Sequence, residues 1–381
     1  MNMFFENSNK RICPKCSIEF YPGDCQIVSQ ITPGKVLKPA PVSFVEKQRA
    51  RRYPELLVGD KYTNELACRE CPNCKYALPY NIESVDFKSI VVVGDTYSGK
   101  SHFLAALIRQ IQDGQVYNSN QATRFVPLTP KVLQEYTNNI NQLFKKKEML
   151  NNTQPATSQK PTEPLIFELI VKKSPAHPAK KTNLVLYDAS GEDFISPERL
   201  IQHSRYVFNA AGIIFLADPV SMPDIFDRLP PHLQNQPATG RRASDVLNLI
   251  VQLLERKRGL EPGSRLIQTP VAITLSKSDL LKYLRGVSDP YKFLNNPAAG
   301  YGGGVDLQDL AVIDKEVREL IRDYGDRSLL QATSSLHAQF FAASATGHPQ
   351  KADSTYPAVE PRRCLDPVLW VLNQVGVIDA K

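Results

Sequence analysis

The chain has 381 residues, 42% of them hydrophobic, enough for two domains and a large core. Its formal net charge is +7, and basic pairs such as Arg51-Arg52, Arg241-Arg242 and Arg362-Arg363 are scattered, so no dense stripe marks a nucleic-acid binder. No apolar run reaches the roughly 18 residues that span a bilayer, and the N-terminus, MNMFFENSNKR, lacks the basic-then-apolar order of a secretory signal. A cytoplasmic protein with no membrane partner is expected. There its seven cysteines stay reduced, and clustered Cys reads as metal ligands before disulfides.

Six of the seven cysteines precede residue 75. Cys13-Pro-Lys-Cys16 and Cys71-Pro-Asn-Cys74 are two C-P-x-C knuckles. Each puts two thiolates on a tight turn, and two such turns complete a tetrahedral site for Zn²⁺. The gap between them is 54 residues, longer than the roughly 15–20 of the usual spacing, so the intervening chain must make its own excursion. Cys25 and Cys68 are either alternative ligands or small buried residues. The two matched pairs are preferred because they repeat the same turn chemistry. The module reads as a structural clip for a small N-terminal lobe. Aromatic–basic interleaving between the knuckles is too sparse for a nucleic-acid ribbon.

After residue 88 apolar runs alternate with amphipathic stretches, the pattern of a mostly parallel sheet with covering helices. Strands are expected at 89–93, 165–172, 183–188, 212–217, 270–275 and 338–344. Helices are expected near 100–112, 131–149, 197–210, 243–258, 309–323 and 366–375. The second and third strands are joined by SPAHPAKKT and read as an antiparallel pair at one edge. The domains expected are a cysteine module over 1–88 and an α/β domain over 89–381, with insertions near 113–164 and 286–306.

The first strand runs into GDTYSGKS, which matches G-x-x-x-x-G-K-[ST] without a mismatch. Gly94 allows a sharp turn, and Gly99 keeps a Cβ away from converging N–H groups. Lys100 reaches the β- and γ-phosphates, and Ser101 offers its hydroxyl to Mg²⁺ at a helix start whose dipole favours the anion. Thr96, Tyr97 and Ser98 complete the loop, and His102 opens the amphipathic stretch after it. The loop alone does not separate ATP from GTP.

Next comes LVLYDASGEDF. Asp188, ending an apolar strand, is placed to hold Mg²⁺ through water, and the Gly191 N–H to contact a γ-phosphate. Then VAITLSKSDLL ends a further strand. The Asp279 carboxylate can accept two hydrogen bonds from guanine, a donor pair that adenine lacks on that edge. The stem of Lys277 can cover the base. Read without its neighbours, Ser276 or Ser278 is a helix N-cap; the order of motifs favours guanine. In FFAASATG, the small residues Ser344 and Ala345 let backbone N–H groups reach the base.

In this order, GDTYSGKS, DASG, SKSD and SAT resemble the G1, G3, G4 and G5 motifs of the Ras-like, translation-factor-related GTPases. The resemblance covers about residues 89 to 375 and implies a G domain that binds GTP or GDP with Mg²⁺ and hydrolyses GTP. It departs at Ser276, where the family usually has Asn. The family's switch I threonine matches Thr162 best, with Thr157 and Thr129 as rivals. Glu192 stands where the family often has a water-orienting Gln, and Thr96 where many members have a second glycine. Together these imply slow turnover, aided by a partner that supplies a cation, with Arg199, His203 and Arg205 as candidate contributors in cis. The cysteine-rich start joined to a GTPase, with the closing LDPVLWVLNQVGVI, resembles the second member type of the bacterial double-GTPase group. That resemblance implies work with an effector or activating protein, such as a sister GTPase, in a bacterial signalling or conflict system. Two rival readings keep the pocket: a nucleotide-gated scaffold with negligible hydrolysis, and an ATPase of another phosphate-loop lineage.

Overall fold

The architecture is that of a computed structural model. It describes residues 10–29, 35–37, 67–79, 81–82, 85–113, 122–128, 130–151, 156–157, 162–172, 179–194, 196, 198–199, 201, 205–234, 242–257, 259, 267–286, 291–295 and 305–380. The chain divides into two compact units, Met1–Phe87 with Lys181–Asn183, and Lys88–Lys180 with Leu184–Lys381. No helix among the described residues is long and apolar enough to cross a membrane.

In the first unit, β1 (Arg11–Ile12) pairs antiparallel with β2 (Glu19–Phe20). Strand β4 (Ala67–Glu70) lies antiparallel between β3 (Gln26–Ser29) and β5 (Ala77–Leu78). Cys13, Cys71, Phe20, Leu78 and Ile82 are buried together. So small a core supports little independent stability without a further constraint.

The second unit is built on a seven-stranded sheet. Its order is β12 (Leu336–Ala342), β11 (Ile267–Leu275), β10 (Gly212–Ala217), β6 (Asp86–Gly94), β9 (Lys180–Asp188), β8 (Pro164–Lys172), β7 (Ala122–Pro127). β6, β10, β11 and β12 pair in parallel. Ile90, Val91, Val92 and Val93 are all fully buried, because both faces of the central strand are covered. One face packs against α1 (Lys100–Gln112), α2 (Pro130–Ile140) and the closing helix α8 (Leu365–Gln374), with Phe103, Leu107, Val132, Val368 and Trp370 in one cluster. Along the chain follow α3 (Pro223–Arg228), α4 (Ala243–Lys257), α5 (Lys292–Asn295), α6 (Leu307–Tyr324) and α7 (Arg327–Ala332). The mostly parallel α/β class expected from the sequence is the one observed, beside a small cysteine-bearing N-terminal unit.

Four expectations need revision. The stretch 113–164 is not only insertion, since β7 within it pairs antiparallel on the outer edge of β8. β8 and β9 are neighbours as expected, but β8 is not the edge. The helix expected over 131–149 ends sooner. It passes into a π-turn at Asn141–Lys145, and Lys147 turns left-handed with φ 59°. In the span 197–210, Glu198, Arg199 and Ile201 are helical and Arg205–Asn209 forms a 3₁₀ turn, while 197, 200 and 202–204 lie outside the described residues.

Phe341 on β12 is fully buried against Trp370, with ring centroids 5.8 Å apart. Phe341→Ala should therefore lower stability by about 3–5 kcal/mol, the usual cost of truncating a core aromatic. Urea unfolding followed by Trp370 fluorescence measures it. A loss under about 1 kcal/mol would mean that the cluster repacks freely.

Candidate functional site

Strand order reverses direction at β6: β7, β8 and β9 lie on one side of it, and β10, β11 and β12 on the other. Ligands of open parallel sheets bind at such a switch point, beyond the carboxyl ends of the strands. A cleft of about 450 Å³ lies there, lined by residues of the β6–α1 loop, the β9 end, the β11 end and the chain after β12.

The loop is shaped by Gly99, whose φ of 83° suits a residue without Cβ and starts α1. Lys100 is nearly buried. Its Nζ donates to the carbonyls of Gly94 (3.1 Å) and Asp95 (2.7 Å). Burial pulls its pKa down to about 8, partly offset by Asp188, Asp95 and Asp193. Ser101 Oγ donates to Asp188 Oδ2 at 2.7 Å, so the hydroxyl and the carboxylate share one point. That donor pair fits Mg²⁺, a hard cation that takes oxygen ligands and keeps several waters. Gly191 sits against the loop: a Cβ there would lie 2.3 Å from Thr96 N. Thr96, Tyr97, Ser98 and His102 line the cleft with Lys100 and Ser101.

At the other end, Asp279 is buried and accepts a 2.5 Å hydrogen bond from Ser344 Oγ, which itself accepts from Gly347 N at 2.8 Å. Burial raises the Asp279 pKa, opposed by the Ser344 bond. Lys277, left-handed at φ 49°, is tied by its Nζ to Asp218 Oδ2 at 2.6 Å. Ser276, Ser344 and Ala345 line the cleft beside Lys277 and Asp279. Thr162 and Glu192 are described but are not among the lining residues, and Glu192 is exposed. Thr129 and His203 lie outside the described residues.

Three contributors carried no motif. Asp218 anchors Lys277 and caps its own turn by accepting from Val220 N at 2.9 Å. Its signal was an acid at the end of the apolar strand GIIFLA, the position that Asp188 holds on β9. Asp193 is fully buried, accepts from Ala156 N at 3.0 Å, and lies 3.8 Å from the Arg199 guanidinium. Arg199 thus faces Asp193. Tyr356 lines the cleft from a segment that the sequence did not single out.

In the cysteine unit the two knuckles repeat each other. Ser17 N donates to Cys13 O at 2.9 Å and Lys75 N to Cys71 O at 3.0 Å, and Ser17 and Lys75 are both left-handed. The four Sγ atoms of Cys13, Cys16, Cys71 and Cys74 lie within 4.8 Å of one another. Cys13–Cys74 and Cys16–Cys71 are each 3.7 Å apart. Tetrahedral Zn²⁺ with bonds of about 2.3 Å sets its sulfurs about 3.8 Å apart, so the donor set fits that ion. Cys25 and Cys68 stand outside the group, and Cys25 Sγ contacts the Tyr21 carbonyl at 3.8 Å.

A phosphate cradle at the switch point, an acid beside its serine and an aspartate at the far end define a nucleotide-binding domain of the P-loop GTPase class. The chain belongs to the Double-GTPase 2 family, whose sequence model matches residues 88–345. It is a GTP-binding protein of that kind. The chain is also 28% identical over 326 residues to a Mycolicibacterium smegmatis protein described as "Putative ESX-1 scaffolding and assembly protein SaeC"; the alignment covers 81% of this chain and 80% of that one. Among solved structures it is similar to the small GTPase Arl6 (BBS3) of Trypanosoma brucei with bound GppNp. There the TM-score is 0.32 and the identity 11%, over 76% of this chain and 97% of the other.

With four thiolates as the ligand set, elemental analysis should find about one Zn²⁺ per chain. Cys71→Ser should release the metal and loosen the N-terminal unit while nucleotide still binds. A metal-free chain whose N-terminal unit stays folded would remove the clip.

Proposed function

We propose that the protein is a guanine-nucleotide switch that hydrolyses GTP slowly and controls a partner protein in a bacterial signalling or conflict system. The observation that carries the guanine part is Asp279. It is buried in the cleft, braced by Ser344, with Lys277 pinned beside it by Asp218. A carboxylate held this way accepts from both guanine donors and leaves an adenine unmatched. Lys100 takes the phosphates, Ser101 with Asp188 holds Mg²⁺, and Gly191 senses the γ-phosphate. Thr162 serves as the switch I ligand by moving into the cleft when GTP binds. Zn²⁺ on Cys13, Cys16, Cys71 and Cys74 clips the N-terminal unit.

The slow rate is supported by Glu192 and Thr96. Thr96 lies against Gly191 and crowds the water's approach. Glu192 is exposed, and its backbone N donates to Ser190 Oγ at 3.4 Å. An acid there repels the phosphates and does not orient a nucleophile. A partner that supplies a cation, or a sister GTPase, would raise the rate.

A second reading is a nucleotide-gated scaffold with negligible turnover. It is favoured by the scaffolding description of the Mycolicibacterium smegmatis relative. Multiple-turnover phosphate release separates the two.

GTP and GDP should bind far more tightly than ATP, and Asp279→Ala should weaken GTP by about 2 kcal/mol or more. Equal affinity of the wild type for ATP and GTP, read by isothermal titration, would make it a phosphate-loop protein of another lineage. Single-turnover hydrolysis by the isolated protein should run on the order of 10⁻³ s⁻¹ or below. Glu192→Gln should speed that step or leave it unchanged. A loss of roughly 10²-fold in this variant would instead make Glu192 a working base.

A further inference from the structure

The chain after the π-turn does not run free past the cleft. Met149 N donates to Ser354 O at 3.1 Å, Tyr356 N to Lys147 O at 2.8 Å, and Glu148 bridges Thr355 antiparallel. Lys147 Nζ adds a bond to Pro357 O at 3.2 Å. These two segments are some 200 positions apart, as the separation of 210 between Lys147 and Pro357 shows. Both converge on His102, the residue after the Mg²⁺-binding serine. Leu150 N donates to His102 Nε2 at 3.1 Å, and Tyr356 OH lies 3.4 Å from the same nitrogen. Behind them Leu150 packs on Ala105 of α1 and Leu143 of the π-turn, with Tyr356 and Val359 at the rim.

The second segment is also tied to the base end. Ser344 and Arg362 exchange two backbone bonds of 2.9 and 2.8 Å, and Glu360 N donates to Thr346 O at 2.8 Å. Residues 344–362 therefore leave from beside Asp279 and return to it. Met149, Leu150, Asn151, Gln350, Ser354 and Tyr356 line the same cleft as Lys277 and Asp279. The charge of Lys277 acts on His102, and that of Asp279 on Tyr356. The joined segments thus line the cleft together with Lys277 and Asp279, where a base and its ribose belong.

We propose that Lys147–Leu150 and Ser354–Tyr356, bonded to each other and to His102, form a roof over the nucleoside that refuses bulk on the ribose hydroxyls and must open before nucleotide leaves. This rests on the nucleotide reading of the cleft, though not on which base it takes. His102 and Tyr356 act as positioning residues, because they hold the roof down and not the reacting atoms. The roof joins a segment before switch I to one after the last base-binding motif, so release needs a bonded pair of segments to part.

The test compares the full-length protein's affinity for GDP and for GDP carrying an N-methylanthraniloyl group on the 2′ or 3′ oxygen. Release of tritiated GDP into excess unlabelled GDP is timed alongside. The modified nucleotide should bind the wild type at least about 10-fold more weakly than GDP, and His102→Ala or Tyr356→Ala should close that gap and speed release about 10-fold or more, affinity changes of this kind falling mainly on the off-rate. Equal binding of the two nucleotides by the wild type overturns the roof even where guanine selectivity holds. So does an unchanged gap in folded variants. Should the variants fail to fold, as judged by circular dichroism, the wild-type comparison decides alone. If ADP outbinds GDP and its modified form is refused, the guanine reading falls and the roof stands. If no nucleotide binds, both fall.

Discussion

The hydrogen bond from Ser101 to Asp188, 2.7 Å long, is the constraint on which the site depends. It joins the first turn of α1 to the end of β9, two elements that the sheet brings side by side at its switch point. A half-buried hydroxyl–carboxylate bond of this length is charge-assisted and directional. It fixes how far the helix start stands from the sheet. With that distance set, Lys100 lies over its own loop and Gly191 lies against Thr96. A cation held here would take the place of that bond on the same two side chains.

The far end of the cleft is built on a different principle. Asp279 and Lys277 come from one strand end, and neither is positioned by its own element alone. Ser344, beyond β12, braces the acid, and Asp218, beyond β10, braces the lysine. The three strand ends are adjacent because β10, β11 and β12 pair in parallel. The parallel register thus brings together residues 59 and 65 positions apart in the chain.

Much of this was legible in the sequence, and the reasons are local. Strand β6 and helix α1 could be read because a doubly buried strand is continuously apolar and the phosphate loop has a fixed spacing. The centres of six strands, β6, β8, β9, β10, β11 and β12, follow from the apolar runs. Strand β7 could not be read: ATRFVP is short and mixed in polarity, and its pairing is supplied by the edge of β8. The end of α2 is not legible because KKKEML keeps a helix-compatible composition. Its backbone bonds instead reach residues 354–356, which no local pattern announces. Glu192 is singled out by its position directly after D-x-x-G, whereas Asp193 is marked only by its burial, which no local pattern announces. Thr162 was chosen by spacing, and spacing does not say which way a chain faces.

Asp193 ties the DASG turn to the chain before β8. Its Oδ1 accepts from Ala156 N, and the Arg199 guanidinium lies 3.8 Å from the same oxygen. Gly191, two residues earlier, has no room to move toward Thr96. The short 3₁₀ turn Gly191–Phe194 carries Asp193 on the same rigid piece, with Phe194 fully buried behind it. Displacement of the glycine is therefore not a local event. It either drags Ala156 with it or breaks a buried charge-assisted bond, which costs more than an exposed one because the carboxylate cannot turn to water. Among the described residues, the buried Asp193 carboxylate thus links the segment that precedes β8 to the segment that follows β9.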